Sequence, residues 1–85
     1  MAAYSVFIKK SAAREMEALP KKELTRILER IGSLRKNPRP QGCEKLAGVE
    51  LYRIRQGSYR IVYSIEDDVL TVWVVKVGHR REVYR

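Results

Sequence analysis

The stretch from residue 69 to residue 77, Val-Leu-Thr-Val-Trp-Val-Val-Lys-Val, constrains the fold of this chain more than any other. It is almost continuously apolar and rich in β-branched and aromatic side chains, which is typical of a strand. The missing alternation predicts a strand that is covered on both faces. No apolar run in the chain reaches the roughly 18 residues that a membrane-spanning helix needs, so we expect no membrane partner.

Two more strands are predicted just before this run, over residues 50–55 and 59–65. In both, apolar and polar side chains alternate, so each strand has two different faces. Short turns at residues 56–58 and 66–68 join the three strands, which makes them antiparallel neighbours. Three arginines lie on the second face of these strands: Arg53, Arg55 and Arg60.

The first half of the chain is predicted to be mainly helical. Residues 3–9 are β-branched and aromatic and predict a strand. A short helix follows, for which Ser11 is the expected cap. A second helix, over about residues 20–36, carries one apolar stripe at helical spacing. Residues 37–49 contain prolines and glycines and predict a surface loop.

The predicted order is therefore β-α-α-β-β-β, in a single domain of residues 1–85. Two N-terminal helices cannot bury their stripes on each other and leave the sheet bare, so we expect both on one face. This gives an α+β fold with a mostly antiparallel four-stranded sheet. The other face stays open and presents Arg53, Arg55 and Arg60.

Charge and cysteine content limit the function classes. The formal net charge of +8 suits a polyanion such as RNA, DNA or a ribosomal surface, or an acidic protein. Charge alone does not choose between these ligands. The single cysteine, Cys43, excludes an internal disulfide and a cysteine-cluster metal site. The chain starts without a recognisable signal peptide, so we expect a cytoplasmic protein.

The C-terminal segment concentrates polar chemistry directly after the apolar strand. Gly78 breaks the run, and the remaining residues could fold back over the sheet. Arginine forks match phosphate oxygens, and Tyr or His rings stack on unpaired bases, so the pattern favours an RNA backbone. The alternative is a solvent-exposed sheet face with no catalytic or binding role. The candidate residues of this segment are His79, Arg80, Arg81, Tyr84 and Arg85.

RNA can be cleaved without a metal when the ribose 2′-OH attacks the adjacent phosphate. Arginines can stabilise the charge that develops on the phosphate, but another group must move the protons. His79 is the only side chain that titrates near neutrality unaided. The pKa of a tyrosine starts near ~10, and nearby arginines would lower that of Tyr84. One histidine excludes a paired-histidine mechanism.

Over nearly its whole length the chain resembles the RelE family of bacterial and archaeal type II toxins, within the RelE/ParE superfamily. The order and spacing of four fragments carry the resemblance: Lys45-Leu46-Ala47-Gly48, Leu51-Tyr52-Arg53-Ile54-Arg55, Gly57-Ser58-Tyr59-Arg60-Ile61-Val62-Tyr63, and Val77-Gly78-His79-Arg80-Arg81-Glu82-Val83-Tyr84. It implies a RelE-like, microbial-RNase-like fold and a ribosome-dependent endoribonuclease that cuts mRNA in the A site. It also implies a RelB-like antitoxin partner and no cofactor.

The resemblance assigns roles to particular positions. Tyr84 matches a tyrosine implicated in activating the 2′-OH, Arg80 a phosphate stabiliser or general acid, and Arg60 a transition-state stabiliser. Arg53 and Arg55 fall where some members have two lysines. Arginine effectively never loses its proton, so these two can neutralise phosphate but are unsuited to act as a base.

This departure moves proton removal to Tyr84 or His79, and the choice between them stays open. Three more cations, Lys45, Arg81 and Arg85, are expected to contact mRNA or the small-subunit rRNA. Two alternatives remain. One is a ParE-like toxin that poisons DNA gyrase without cutting RNA, and the other is an inactive module that only binds its antitoxin.

Overall fold

A computed structural model describes residues 3–79 of the chain. Its elements are β1 (Ser5–Ile8), α1 (Lys10–Glu17), α2 (Lys21–Ser33), β2 (Glu44–Lys45), β3 (Tyr52–Gln56), β4 (Tyr59–Glu66) and β5 (Thr71–His79), with a 3₁₀ turn (Asp67–Val69) between the last two. The strand order in the sheet is β1-β5-β4-β3-β2. Strand β1 is parallel to β5, and the other neighbours are antiparallel. The predicted α+β fold is confirmed, with β5 inside the sheet.

Two local expectations were wrong. Glu44 and Lys45, in the predicted loop, form a short fifth strand that pairs with β3, because an extended edge segment can pair without a propensity signal. The first helix begins at Lys10, with Lys9 as its N-cap and no side-chain capping bond. Ser11 therefore lies inside the helix and does not cap it.

Both helices cover one face of the sheet and build the core there. Each helix turns its apolar stripe toward the sheet, and removing a Leu or Ile side chain from water stabilises the fold by about 1.5–3 kcal/mol. The buried core residues are Ala12, Met16, Ile27, Ile31, Leu34, Ile54, Ile61, Tyr63, Val72, Val74 and Val77. Neither helix within residues 3–79 is long and apolar enough to cross a membrane.

The other face of the sheet carries no helix of the described residues 3–79, although Arg53, Arg60 and Val62 on this face are buried. On β5 the positions on this side, such as Thr71 and Trp73, are only half-buried. The expectation that this strand is covered on both faces was therefore wrong, because the two helices lie on one side only. Its apolar run reflects a central position between β1 and β4 rather than two covering layers.

A register shift in β5 changes which side chains face the helices. The pairing between β5 and β4 skips Val75, which has no partner on β4. Val72 and Val74 are buried before the skip, and Val77 is buried after it. One extra residue inverts the alternation of a strand. The side chains of Lys76, Val77 and His79 therefore lie on the face opposite to the one that simple alternation predicts.

Tyr63 anchors the long α2–β2 connection to the core. Its side chain is fully buried, and its hydroxyl donates to the carbonyl oxygen of Pro38 at 2.7 Å. The Cys43 sulfur lies 3.2 Å from the same hydroxyl. Burial, followed by the contact with Cys43, raises the pKa of Tyr63 above its ordinary value. The phenol therefore stays protonated and keeps its donor for Pro38.

We expect Tyr63→Phe to lower the free energy of unfolding by about 1–3 kcal/mol, because the Pro38 carbonyl loses its buried donor. Urea denaturation of the purified protein measures this change. Tyr59→Phe, on the same strand but only half-buried, is the matched control and should change stability much less. An equal loss of unfolding free energy in both variants would show that the hydrogen bond to Pro38 does not add to stability.

A second contact ties the same connection to the β4–β5 turn. The Arg39 guanidinium donates to both carboxylate oxygens of Asp67, at 3.2 and 2.9 Å. It also lies over the Tyr52 ring, 5.1 Å from the centroid, and the Tyr4 hydroxyl donates to Asp67 at 2.7 Å. The hydrogen bonds from Arg39 and then from Tyr4 lower the pKa of Asp67 to about 2.

This lowered pKa predicts an acid-sensitive part of the stability. The ionised form of Asp67 is favoured by folding, so its contribution is complete above the unfolded pKa of about 4 and is lost as the pH falls through about 2. Asp67→Asn should lower the urea midpoint at pH 7, and the difference from wild type should close at the acid end. Asp68→Asn is the neighbouring control. A difference that persists unchanged at pH 2 would contradict the assignment.

Candidate functional site

The three arginines of the predicted open face lie together, as the alternation predicts. Across β3 and β4, Arg55 pairs with Arg60 and Arg53 pairs with Val62. Direct partners in an antiparallel pair share a face, with Cα atoms about 4.5–5.5 Å apart. The three guanidinium stems therefore start from one small area of the sheet, away from the helices.

Sheet stability does not explain this arrangement. Arg55 and Arg60 are direct cross-strand partners although both are positive, and like charges in this position destabilise a sheet. Arg60 is only 7% exposed and Arg53 only 3%. Burying a guanidinium is costly. A cluster that costs stability in these ways is typical of a site that binds an anion.

The short strand β2 completes one side of the cluster. Its Glu44 accepts a hydrogen bond from the Arg53 guanidinium, and Arg30 reaches the same area from α2. With Arg55 and Gly42, these residues line an open cleft of about 300 Å³. Among the described residues that line this cleft, Arg30, Arg53 and Arg55 are positive and Glu44 is negative. These residues give the cleft excess positive charge, which suits a phosphate.

His79 lies elsewhere. It pairs with Tyr59 at the end of β5, and their rings meet edge to face with centroids 5.9 Å apart. Together with Glu15 of α1 and Leu19 in the turn after α1, both rings line a cavity of about 520 Å³ on the helix-covered side. The skip at Val75 accounts for this position. The structure therefore does not bring His79 to the arginines, and its catalytic role stays a prediction.

Comparison with known proteins places the chain in a family. Residues 6–84 match the family described as the ParE toxin of the type II toxin-antitoxin system, parDE. The chain is 34% identical over 86 residues to Toxin RelG of Mycobacterium tuberculosis, an alignment that covers 96% of this chain and 97% of RelG. The chain belongs to the RelE/ParE superfamily of type II toxins.

Solved structures agree with this assignment. The toxin-antitoxin complex RelBE2 of M. tuberculosis contains a chain with a TM-score of 0.85 and 29% identity, covering 96% of this toxin and 97% of that chain. The archaeal RelE-RelB complex of Pyrococcus horikoshii OT3 gives a TM-score of 0.83 and 31% identity, with 94% and 98% covered. The expected RelE-like fold and the resemblance to the RelE family are both confirmed.

The end of β5 is fixed next to the arginine cluster of the toxin. The Glu15 carboxylate on α1 accepts two hydrogen bonds from β5, one from the Val77 amide at 2.9 Å and one from the Lys76 ammonium at 3.1 Å. The following residue, Gly78, pairs with Arg60 and adds no side chain beside it. The chain therefore leaves β5 from a defined point next to Arg60.

Five more predicted site residues complete the account, and only one of them, Lys45, lies in the described part of the chain. Lys45, on β2, forms an exposed ion pair with Glu50 at 2.8 Å, and this hydrogen bond raises the pKa of Lys45. Its contact with RNA stays a prediction. Four further residues lie outside the described part of the chain: Arg80, Arg81, Tyr84 and Arg85.

Sequence reasoning missed Glu44 and Arg30 as members of the cleft. Glu44 lay in the predicted loop. The strand that it forms has two residues, which is too short for the alternation of apolar and polar side chains to reveal it. Arg30 is one of several cations outside the apolar stripe of α2, and alternation or helical spacing cannot single it out. Only the packing of α2 beside the β2–β3 edge brings Arg30 to the other arginines.

Proposed function

We propose that this toxin is a ribosome-dependent endoribonuclease that cleaves mRNA in the A site and so inhibits translation in the cytoplasm. One observation carries the proposal: Arg60 is nearly buried, is directly opposed to Arg55, and shares with Arg53 the sheet face away from the helices. Such a cluster suits a phosphate that gains negative charge during a reaction. Membership of the RelE/ParE superfamily and the similarity to RelE-type toxins support the same conclusion.

The proposed reaction needs no metal and no cofactor. The ribose 2′-OH loses its proton and attacks the adjacent phosphorus, and the bond to the 5′-oxygen breaks. The products are a 2′,3′-cyclic phosphate and a protonated 5′-OH. Arg60, held on a rigid strand, stabilises the extra charge on the phosphate without having to reorganise, and Arg53 and Arg55 neutralise the flanking backbone.

The proton transfers are assigned to the C-terminal segment by resemblance. Tyr84 takes the proton of the 2′-OH, and Arg80 stabilises the phosphate or protonates the leaving oxygen. The position of Gly78 beside Arg60 supports this, because the chain enters the segment next to the proposed phosphate. His79 is the less favoured base, since its ring lies under α1 with Tyr59.

We also propose a RelB-like antitoxin as the cognate partner, since the two similar structures described above are toxin-antitoxin complexes. The antitoxin should cover the arginine face or displace the C-terminal segment. Small-subunit rRNA is the proposed ribosomal contact, with Lys45, Arg81 and Arg85 as expected binding residues. A toxin-antitoxin complex that leaves both the arginine face and the C-terminal segment accessible would contradict this account.

A second function has one observation in its favour. The family that matches the chain is described as the ParE toxin. This match supports the alternative in which the toxin poisons DNA gyrase and cuts no RNA. The cluster of Arg53, Arg55 and Arg60 on the sheet face away from the helices fits RNA better, because a protein partner does not require a clustered phosphate site.

Primer extension on translated mRNA after toxin induction separates these functions. Cleavage at positions in phase with codons, and only when ribosomes are present, is the expected result. The purified toxin should leave the same RNA intact without ribosomes. Intact mRNA together with gyrase-linked DNA breaks would overturn the proposal and establish the second function.

A further inference from the structure

An aromatic pair lies exposed on the open face of the sheet, apart from the arginine cluster. Phe7 of β1 and Trp73 of β5 are direct register partners, and their rings are stacked with centroids 5.0 Å apart and planes inclined by 29°. Phe7 is 48% exposed. An isolated exposed phenylalanine needs no explanation, but a stacked pair on an uncovered sheet face presents a flat apolar surface to solvent.

The register places this pair on the same face as the arginines. Trp73 pairs with Ser64 on its other side, and Ser64 and Arg60 share a face of β4 because they are four residues apart. At about 3.3 Å per residue and 4.8 Å between strands, the backbones of Arg60 and Trp73 are roughly 14 Å apart. A few nucleotides span this distance, since stacked bases in a duplex rise about 3.4 Å each.

Charge around the aromatic pair favours a polyanion. The Lys9 ammonium lies over the Trp73 ring, 5.4 Å from its centroid, and Lys9 itself is exposed. At the other end, Glu66 pairs with Thr71 in the next row of the sheet. A strand of nucleic acid that starts at the arginines would meet stacked rings and a cation at Lys9, and would be repelled at Glu66.

We propose that the Phe7–Trp73 pair is a base-stacking platform that binds a nucleotide a few positions away from the cleaved phosphate. Aromatic rings on a sheet face with cations beside them are a general means of holding unpaired bases. The inference takes its ligand class, single-stranded RNA, from the proposed function. It adds a second contact point on β1 and β5 and gives the bound RNA a direction across the sheet.

Trp73 is the only tryptophan in the chain, so its fluorescence reports on the platform directly. The probe is a 2′-O-methyl decanucleotide of uridine, which cannot undergo attack by its 2′-oxygen. Titration into the purified toxin at low salt should quench the fluorescence as the RNA binds. The matched probe is an abasic strand with the same number of phosphates, which should bind the cations but leave the fluorescence nearly unchanged.

Variants separate stacking from charge. Phe7→Leu keeps an apolar side chain at a half-exposed position and should weaken binding of the decanucleotide on the order of tenfold. Binding of the abasic strand should stay the same. Lys9→Gln should weaken both probes, because it removes a charge. Leu28→Ala, a 45% exposed apolar position on α2, is the control and should change neither.

Crosslinking on the ribosome distinguishes mRNA from rRNA as the source of the stacked base. An uncleavable mRNA with 4-thiouridine near the A-site codon should crosslink to a peptide containing Phe7 or Trp73 if the base belongs to mRNA. A crosslink mapped to the small-subunit rRNA instead would support the platform with the other source. Equal quenching by both probes, or a Phe7→Leu defect confined to antitoxin binding, would overturn the inference.

These outcomes are independent of the proposed catalysis. Base-dependent quenching by the free toxin can occur even if induction produces no cleaved mRNA, in which case the platform stands and the proposed function fails. Codon-phased cleavage by the toxin, together with unchanged decanucleotide binding by Phe7→Leu, would support the proposed function and overturn the stacking platform. The two conclusions can therefore be judged separately.

Discussion

Replacing Arg60 with alanine is expected to slow cleavage of ribosome-bound mRNA by about 10²- to 10³-fold, the usual loss for one preorganised charge stabiliser. Arg60 is 7% exposed and is fixed on a central strand, so water cannot replace its guanidinium easily. Its contribution should be greatest when the phosphate carries its extra charge. Affinity for the ribosome should fall much less, by under about tenfold, because many other cations contribute to binding.

Single-turnover cleavage at saturating ribosomes measures the chemical step, and filter binding measures affinity. Arg26→Ala is the matched control, since Arg26 is an exposed arginine on α2 that forms a surface ion pair with Glu23, and such pairs contribute little to stability. Arg60→Lys keeps the charge but loses the fork and should lie between wild type and Arg60→Ala. Equal losses in cleavage and affinity would make Arg60 a binding residue. Circular dichroism establishes that each variant is folded.

The sequence predicts most of the architecture because the strongest signals are periodic. The alternation in β3 and β4 places the arginines on one face correctly, and the apolar stripe of α2 correctly covers the other. Local pairing is harder to predict. Strand β2 has two residues, and its partner on β3 decides its structure more than its own composition does.

The candidate site shows the same limit at a single residue. Simple alternation along β5 would place His79 on the face of Trp73 and the arginines. The skip at Val75 reverses that assignment, and His79 meets Tyr59 under α1 instead. The position of a bulge depends on how two strands pair, so the sequence of one strand does not reveal where the extra residue lies.

The position of His79 sharpens the question of the general base. If His79 points away from the proposed phosphate, Tyr84 is the remaining titratable candidate from the sequence. A phenol is a weak candidate alone, because its pKa starts near ~10. Nearby guanidinium groups favour the phenolate and lower that value. The arginine cluster would then have two effects, since it stabilises the phosphate and makes Tyr84 more acidic.

Tyr84→Phe is therefore expected to reduce single-turnover cleavage on the ribosome by on the order of 10²-fold or more. The substitution keeps the ring, so stacking and ribosome affinity should be nearly unchanged. Tyr59→Phe is the matched control, because it removes a phenol beside His79 on the helix-covered side. It should cleave at nearly the wild-type rate.

The pH dependence distinguishes a proton-transfer role from a positioning role for Tyr84. In the wild type, cleavage should accelerate as the pH rises toward the pKa of the phenol, because the phenolate is the form that accepts the proton of the 2′-OH. Tyr84→Phe should lose this rise along with most of its rate. A variant that cleaves slowly but keeps the wild-type pH profile would show that the hydroxyl only positions the RNA. Wild-type cleavage by Tyr84→Phe would move the base to His79, and His79→Gln would then be the variant that abolishes the pH-dependent rise.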